Sequence, residues 1–364
     1  MNIEEILAEL EKFAPLQYQE DYDNSGLLTG SRSFEAKGAL LTLDCTEEVV
    51  EEAISSGCNL IIAHHPILFS GLKKLTGANY VERTIIKAIK NDIAIYACHT
   101  NLDNVKQGVN YKICEKLGLK NPAILSPKAG TLRKLVTYVP ESLRQLVSDA
   151  LVASGAGHIG NYDHCSFYTE GTGTFRGNDN TKPFLGKPGE LSHEKEQRLE
   201  TDFDAACESN VISALLKAHP YEEVAYDIYN ISNKHQGIGS GMVGEFEKEI
   251  SEEHFLNLVK STFKVPVIKH TKKTGKMIKK IAVCGGSGRF LLKNAIQSGV
   301  QAYITSDFKY HEYFDAENKL LLVDTGHFES EQFTPEIFYE LIRKKFPTFA
   351  VRLSKTNTNP INYF

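Results

Sequence analysis

The feature that most constrains the fold is a regular alternation of apolar and amphipathic segments between residues 38 and 118. Apolar runs at 38–44, 59–65 and 93–99 alternate with segments of helical periodicity at 46–57, 80–92 and 109–119. Thr46 suits the start of the first of these helices, and Gly57 suits its end. Apolar strands separated by amphipathic helices predict a parallel β-sheet that is covered on both faces.

The same alternation returns near the end of the chain. Predicted strands at 279–286, 302–307 and 320–327 are accompanied by predicted helices at 289–299 and 335–346. The segments 53–65 and 295–307 also align without a gap, which places His64-His65 opposite Ser306-Asp307. We therefore predict an α/β domain made of two similar half-units, with their sheet edges facing one cleft.

A stretch of different character separates the two halves. Between residues 127 and 232 the predicted elements follow the order βαββαβ, which is typical of a ferredoxin-like α+β module. The glycine-rich segment 235–245 is interpreted as the linker that closes this module. The predicted organisation is a first half-unit at 1–126, an inserted ferredoxin-like domain at 127–234, and a second half-unit at 235–364.

Composition narrows the class of protein. The formal net charge of −5 gives no reason to expect a nucleic-acid partner, and no apolar run approaches the roughly 20 residues that a membrane helix needs. The N-terminal residues 1–13 have the pattern of an amphipathic helix capped by Asn2, which does not resemble a signal peptide. The seven cysteines are scattered and form no CxxC motif. These features predict a cytoplasmic protein with free thiols.

Polar residues that can bind metals follow several of the predicted strands. His64 and His65 end one strand, and Pro66 supports that ending because it has no N–H for a sheet. When 93–103 is aligned with 320–331, each half carries a histidine at a strand end and a carboxylate four residues later. The two pairs are His99/Asp103 and His327/Glu331. The carboxyl edge of an open α/β sheet, where these residues fall, is where such sheets bind ligands.

Three histidines and two carboxylates exceed the needs of a single catalytic zinc, which takes about three protein ligands. They suit two ions about 3.5–4 Å apart that share a bridging carboxylate, a role open to Asp103. Nitrogen and oxygen ligands without thiolate fit zinc, manganese, iron(II), cobalt or nickel. His99 beside them is a candidate general acid/base or supporting residue. Ordinary alternatives stay open: a satisfied strand-end histidine for His64, a helix N-cap for Asp103, and a surface helix start for the His327/Glu331 pair.

Two further motifs lie outside the candidate ligands. "CGGSG" at 284–288 lies at a strand–helix junction, where it could hold a phosphate or be a simple glycine-rich turn. "HPYEEVAYDIY" at 219–229 is interpreted as a turn that leads into an edge strand.

Three motifs in this order resemble the Nif-three-like family, whose bacterial members are named GTP cyclohydrolase 1 type 2 homologues. They are "AHHPILFSGLKKL", "CHTNLDN" and "DTGHFESE", and the resemblance covers nearly the whole chain. The insert resembles the domain of longer family members that is similar to the signal-transduction PII and copper-tolerance A proteins. The resemblance implies a toroidal homohexamer and two divalent ions per chain, most often zinc, on ligands at His64, His65, Asp103, His327 and Glu331.

Two functions are compatible with these ligands. The first is a metal-dependent hydrolase in which metal-bound hydroxide attacks a cyclic amide, an amidine or a nucleotide-like substrate. For GTP it would attack C8 of the purine, with His99 moving the proton and formate released. The second is a non-catalytic metal-binding, metal-handling or regulatory protein, with the insert as a gate. Both readings predict the same ligands.

Overall fold

The computed structural model describes all residues of the chain, 1–364. Its fifteen strands are β1 Gly26–Thr29, β2 Ala39–Thr42, β3 Leu60–Ala63, β4 Ala94–Ala97, β5 Lys120–Ala129, β6 Leu132–Pro140, β7 Ser166–Phe175, β8 Ser192–Asp204, β9 Tyr226–Ile231, β10 Lys234–Ile250, β11 Lys269–His270, β12 Ile278–Ser287, β13 Ala302–Ser306, β14 Leu321–Asp324 and β15 Val351–Leu353.

Eleven α-helices alternate with these strands: α1 Ile3–Phe13, α2 Glu47–Ser55, α3 Tyr80–Lys90, α4 Thr100–Asp103, α5 Val109–Lys116, α6 Arg144–Ala153, α7 Glu208–Ala218, α8 Glu252–Phe263, α9 Leu292–Gln297, α10 His327–Glu331 and α11 Thr334–Lys345. No helix combines the length and the apolar composition needed to span a bilayer. The chain is a mixed α/β protein with three sheets.

The chain forms two compact units. The first unit contains Met1–Pro127 and Gly237–Phe364, and the second contains Lys128–Gln236.

The first sheet of the first unit has the strand order β1-β4-β3-β2-β15. Strands β4, β3, β2 and β15 are parallel, and β1 runs antiparallel to β4 at one edge. Every residue of β2, β3 and β4 is buried, as the near-continuous apolar runs predict. The last strand, β15, belongs to this sheet and pairs with β2. The C-terminal segment thus returns to complete the sheet of the first half.

The second sheet has the strand order β11-β14-β13-β12-β10-β5. Its central strands β12, β13 and β14 are parallel, as predicted, whereas β10 and β11 pair antiparallel with β12 and β14. A buried apolar cluster joins these strands to α9, with Tyr303 and Leu322 fully buried in it.

The prediction that the glycine-rich segment 235–245 is a linker is wrong. These residues lie within the 17-residue strand β10, which pairs with β12. The glycines permit close backbone approach: a Cβ on Gly239 would lie 2.2 Å from the Ser126 carbonyl oxygen, and a Cβ on Gly244 would lie 2.9 Å from Cβ of Leu119. Glycine in a strand often marks such an approach, and sequence composition alone does not distinguish it from a flexible linker.

The second unit carries a four-stranded antiparallel sheet in the order β7-β8-β6-β9. Helix α6 lies between β6 and β7 in the chain, and α7 lies between β8 and β9, so the elements follow the order βαββαβ. One buried cluster, including Leu135, Val147, Phe203 and Leu215, joins the sheet to both helices. Strand β9 is at an edge of the sheet, as predicted for the segment that follows Tyr221.

The helix ends show how local sequence fixes the elements. Asn2 caps α1 by accepting a hydrogen bond from the Glu5 backbone N–H, and the Glu5 carboxylate accepts from the Asn2 N–H, which forms a capping box. Thr46 caps α2, and Gly57 adopts a positive φ of 72° just beyond the end of that helix. All seven cysteines are free, as predicted.

Candidate metal centre

The first sheet brings its polar strand ends to one edge. In the parallel register Thr42, Ala63 and Ala97 are neighbours at the ends of β2, β3 and β4. The residues that follow these ends are Asp44, His64 with His65, and His99. Because β3 ends at Ala63, the two adjacent histidines are free of strand alternation, and their ring centroids lie 4.9 Å apart. Both imidazoles therefore serve one cleft, as the sequence predicts.

The second sheet supplies the opposite wall. Helix α10 follows β14, and its first and last residues are His327 and Glu331. At this i, i+4 spacing Nε2 of His327 lies 3.1 Å from Oε2 of Glu331. Nε2 of His65 approaches the same carboxylate oxygen to 2.9 Å. The two halves of the first unit thus meet at Glu331, which is 3% exposed.

The potential ligand atoms form three groups, each within 4.8 Å. These are His64, Asp103 and Glu331; His65, His327 and Glu331; and His64, His65 and His99. Glu331 is shared by the first two groups, whereas Asp103 belongs to one. Glu331 is therefore the carboxylate that is common to two groups of potential ligand atoms. The structure brings all six residues singled out from the sequence to one place.

Each of the four imidazoles is oriented through its Nδ1 atom. His65 contacts Asp44 at 2.7 Å, His99 contacts Asp23 at 2.7 Å, and His327 contacts Asp307 at 2.6 Å. Nδ1 of His64 lies 2.8 Å from the Cys98 carbonyl oxygen. In a neutral imidazole with this orientation Nδ1 carries the proton, and Nε2 can ligate an ion once any proton on it has been released. Metal-ligating histidines are held in this way by a carboxylate or a backbone carbonyl.

Two buried polar atoms in the cluster have no hydrogen-bond partner in the chain. They are Nε2 of His64 and Oδ1 of Asp103, which lie 3.6 Å apart. Such atoms are costly to bury unless something else satisfies them. A divalent cation between these two atoms and Glu331 would do so, and the donor set of imidazole nitrogen and carboxylate oxygen fits that ion. Asp103 is the last residue of α4 and caps no helix, so the N-cap alternative for it is wrong.

The charges in the cluster are strongly coupled. Burial opposes the imidazolium form of His65, but hydrogen bonds to Asp44 and Glu331 outweigh burial and raise its pKa to about 10. Burial likewise opposes the charged form of His327, whose contacts with Asp307 and Glu331 raise its pKa to about 11. Burial, followed by repulsion from Glu331, raises the pKa of Asp103 to about 7. A metal ion must displace the imidazole protons to bind.

Burial works against the ionised form of Glu331 as well. The neighbouring imidazoles of His327, His64 and His65 nevertheless hold the pKa of this carboxyl well below its usual value. Glu331 is therefore an ionised carboxylate that both groups of ligand atoms can use.

Glycine 286 makes room for this carboxylate. A Cβ at this position would lie 2.3 Å from Oε1 of Glu331, and the φ of 62° also favours glycine. The backbone N–H groups of Gly285 and Gly286 donate to Asn110 and Ser330. These two N–H groups are used inside the protein, and the motif leaves space for the carboxylate of Glu331.

Three carboxylates that orient histidines of the cluster were not predicted from the sequence. Asp307 directly follows β13, and Asp44 lies two residues beyond the end of β2. The strand-end rule that identified the histidines therefore also applies to these two carboxylates. Asp23 lies in the loop between α1 and β1, and no local signal marks it. Its carboxylate accepts from the Thr100 backbone and hydroxyl groups as well as contacting His99, and these hydrogen bonds, working against burial, lower its pKa.

A cavity of about 550 Å³ opens onto the cluster. Its walls include the aromatic rings of Tyr22, Phe69 and Phe290 and the C-terminal residues Asn359 to Ile361. The tail is fixed near the cluster because the Thr358 hydroxyl donates to Asp44 at 2.7 Å. The volume falls in the range typical of sites for small molecules.

Comparisons with known proteins agree with this architecture. The family model described as Duf34/NIF3 (NGG1p interacting factor 3) matches residues 1–360. The chain is 39% identical over 369 residues to the GTP cyclohydrolase 1 type 2 homolog of Bacillus subtilis (strain 168), with 100% of this chain and 99% of the relative covered. It is 37% identical over 367 residues to the protein of the same name from Halalkalibacterium halodurans, with the same coverage.

Solved structures give the same result. A Bacillus cereus protein related to NIF3 matches with a TM-score of 0.87 and 38% identity, and Staphylococcus aureus protein SA1388 matches with a TM-score of 0.79 and 30% identity. Both matches cover 100% of this chain and 99% of the other chain. The predicted family is confirmed: the chain belongs to the Duf34/NIF3 family.

Proposed function

We propose that the protein is a metal-dependent hydrolase that uses two divalent ions and acts on a small planar heterocycle such as a cyclic amide, an amidine or a purine. The observation that carries this proposal is the pair of ligand groups that share Glu331 and open onto a cavity. His64 and Asp103 would hold one ion together with Glu331, and His65 and His327 would hold the other. When bound, the ions supply a water nucleophile active at neutral pH and polarise the bond under attack.

The residues around the ligands have separate tasks in this proposal. Nδ1 of His99 is held by Asp23, so Nε2 is free to accept a proton and return it to the leaving nitrogen. The rings of Tyr22 and Phe69, with centroids 6.3 Å apart, would hold a flat substrate over the cluster. The ionisable groups of the cavity wall are carboxylates, imidazoles, the Tyr22 phenol and the Cys284 thiol. Since no lysine or arginine lines the cavity, these side chains suit a neutral or cationic ring better than a triphosphate.

Further proposals concern the setting of this site. Zinc is the proposed metal, with iron, manganese, cobalt or nickel compatible with the same ligands. We also propose a ferredoxin-like fold for the second unit, supported by its βαββαβ order and antiparallel sheet. Seven free cysteines support a reducing compartment such as the cytoplasm. The toroidal homohexamer rests on family resemblance, and native mass measurement of the purified protein tests it.

The test is a turnover assay on protein reconstituted with zinc, manganese or iron(II). GTP, guanosine and a panel of cyclic amides and amidines are the substrates, and ring opening is followed by absorbance and by formate release. The double variant His64→Ala/Glu331→Ala is the control for contaminating activity. Turnover that exceeds this control supports the proposal. Metal bound at two ions per chain without any turnover above the control contradicts it and favours the metal-handling reading.

The role of His99 needs a separate variant, because this residue also lies in one of the three ligand groups. As a proton carrier, His99→Ala should keep both ions and lose turnover by about 10²–10⁴-fold. Loss of an ion from this variant would instead make His99 a ligand.

A further inference from the structure

A second cavity, of about 720 Å³, lies within the second unit. Strand β7 lines it through residues 169–175, and β8 contributes Glu196 and Arg198. The turn after α7 adds Tyr221, Glu222 and Glu223, which belong to the "HPYEEVAYDIY" motif. The proposed hydrolase does not use this cavity, although its volume is ordinary for a small-molecule site.

Three aromatic rings form one side of the cavity. Tyr221 is central, with ring centroids 6.3 Å from Phe175 and 6.3 Å from Phe184. The Tyr221 backbone N–H donates to Nδ1 of His219, and Nε2 of His219 donates to the Tyr138 carbonyl oxygen. Burial lowers the pKa of His219, so it is a neutral buttress that fixes the tyrosine ring.

A buried carboxylate faces these rings. Glu196 is 9% exposed, and its Oε1 accepts a hydrogen bond of 2.7 Å from the Tyr221 hydroxyl. Its Oε2 receives no hydrogen bond in the structure. This oxygen sits over Gly173, where a Cβ would lie 2.0 Å away, so the glycine leaves the space that the carboxylate occupies. A buried carboxylate with an unused oxygen gains most from a charged donor.

With Glu196 included, the charged side chains of the wall are mainly acidic. Four carboxylates line the cavity, and they face two guanidinium groups. One of these, Arg198, is paired with Glu200, its Nε lying 2.9 Å from the Glu200 carboxylate. The field in the cavity therefore favours a cation, and aromatic faces favour the same charge.

We propose that this cavity binds a small organic cation with an apolar body. Its ammonium or guanidinium group donates to Oε2 of Glu196, and its apolar part packs between Tyr221, Phe175 and Phe184. The proposal is independent of the hydrolase activity, because it rests on residues of the second unit alone.

Isothermal titration of the full-length chain with phenethylammonium tests the proposal. The neutral analogue 2-phenylethanol and the anionic analogue phenylacetate have the same ring with a different head group. We expect saturable 1:1 binding of the cation, at least about tenfold tighter than the neutral analogue, and weaker binding still of the anion. Equal affinity for the three probes, or no saturable binding of phenethylammonium up to about 10 mM, overturns the proposal.

Variants locate the binding. Glu196→Gln should weaken phenethylammonium binding at least about tenfold, and Glu141→Gln, an exposed carboxylate outside the cavity wall, should leave it unchanged. Phe184→Ala is the second variant, because its ring is 54% exposed and its removal is compatible with folding. It should weaken binding at least about threefold with an unchanged melting temperature. Unchanged affinity in both Glu196→Gln and Phe184→Ala overturns the proposal.

Discussion

Asp103→Asn should make the metal-free protein more stable than wild type at pH 8 and the zinc-loaded protein less stable than wild type. In the metal-free protein the native carboxyl has a pKa of about 7, against 3.8 for the ordinary side chain. Because the native pKa is higher than the unfolded one, the native carboxyl stays protonated at pH values at which the unfolded carboxyl has already lost its proton. Its contribution to stability is therefore present at low pH and is lost as pH rises from about 4 to about 7. Above pH 7 the ionised carboxyl destabilises the metal-free protein.

The magnitude follows from the size of the shift. At about 1.4 kcal/mol per pKa unit, the rise from 3.8 to about 7 corresponds to about 4 kcal/mol. The Asp103 side chain keeps 23% exposure, so water screens part of the repulsion and we expect about 2 kcal/mol at pH 8. Asparagine keeps the shape without the charge. Asp103→Asn should therefore raise the free energy of unfolding of metal-free protein by about 2 kcal/mol at pH 8, and by less than half of that at pH 5.

The assay is urea unfolding of chelator-treated protein at pH 8 and pH 5, repeated at pH 8 with saturating zinc. With zinc the order should reverse, because the wild type gains binding energy from a ligand that the variant lacks. Asp21→Asn, at an exposed carboxylate of the same unit, is the control and should change neither state. A metal-free Asp103→Asn protein less stable than wild type at pH 8 would contradict a destabilising charge on Asp103. A variant stabilised by zinc as much as wild type would contradict a role of Asp103 as a metal ligand.

Three further predictions concern the surroundings of the cluster. Metal binding at pH 8 should release about two protons, from His65 and His327, because their pKa values of about 10 and 11 keep both imidazoles protonated in the metal-free cluster. Titration calorimetry in buffers of different ionisation enthalpy measures the number of protons released. Binding without proton release contradicts the prediction. Gly286→Ala should weaken metal binding at least about tenfold by displacing Glu331, whereas Gly299→Ala, at a similar φ with open space around it, should keep the wild-type affinity in a competition assay with a chromophoric chelator. Thr358→Val should weaken metal binding about two- to tenfold in the same assay, because Asp44 loses the hydroxyl that fixes it beside His65. An unchanged affinity would show that the C-terminal segment does not contribute to metal binding.

The sequence was sufficient to predict the candidate ligands that lie just beyond the ends of strands. The run that ends in His64-His65-Pro66 marks the end of a buried strand, and the edge rule for parallel sheets then brings these histidines to His99. The i, i+4 pair of His327 and Glu331 required only a helical turn after β14, which the structure has.

The sequence was insufficient to predict the role of residues that contact segments far away in the chain. The glycines of β10 give close approach to residues 119–127, and composition alone made them resemble a linker. Strand β15 has three residues and belongs to a sheet formed more than 200 positions earlier. Asp23 reaches His99 from a loop without periodicity. The choice of Glu331 over Asp103 as the shared carboxylate depends on distances between the halves, which no local pattern contains.

The most direct test of the account is the number of zinc ions per chain after dialysis, measured by elemental analysis on wild type, Glu331→Gln and a Glu115→Gln control at an exposed carboxylate. The shared position of Glu331 predicts two ions in the wild type and the control, and loss of both ions in Glu331→Gln. One ion per wild-type chain, or one ion retained by Glu331→Gln, would contradict a centre in which a single carboxylate serves two metals.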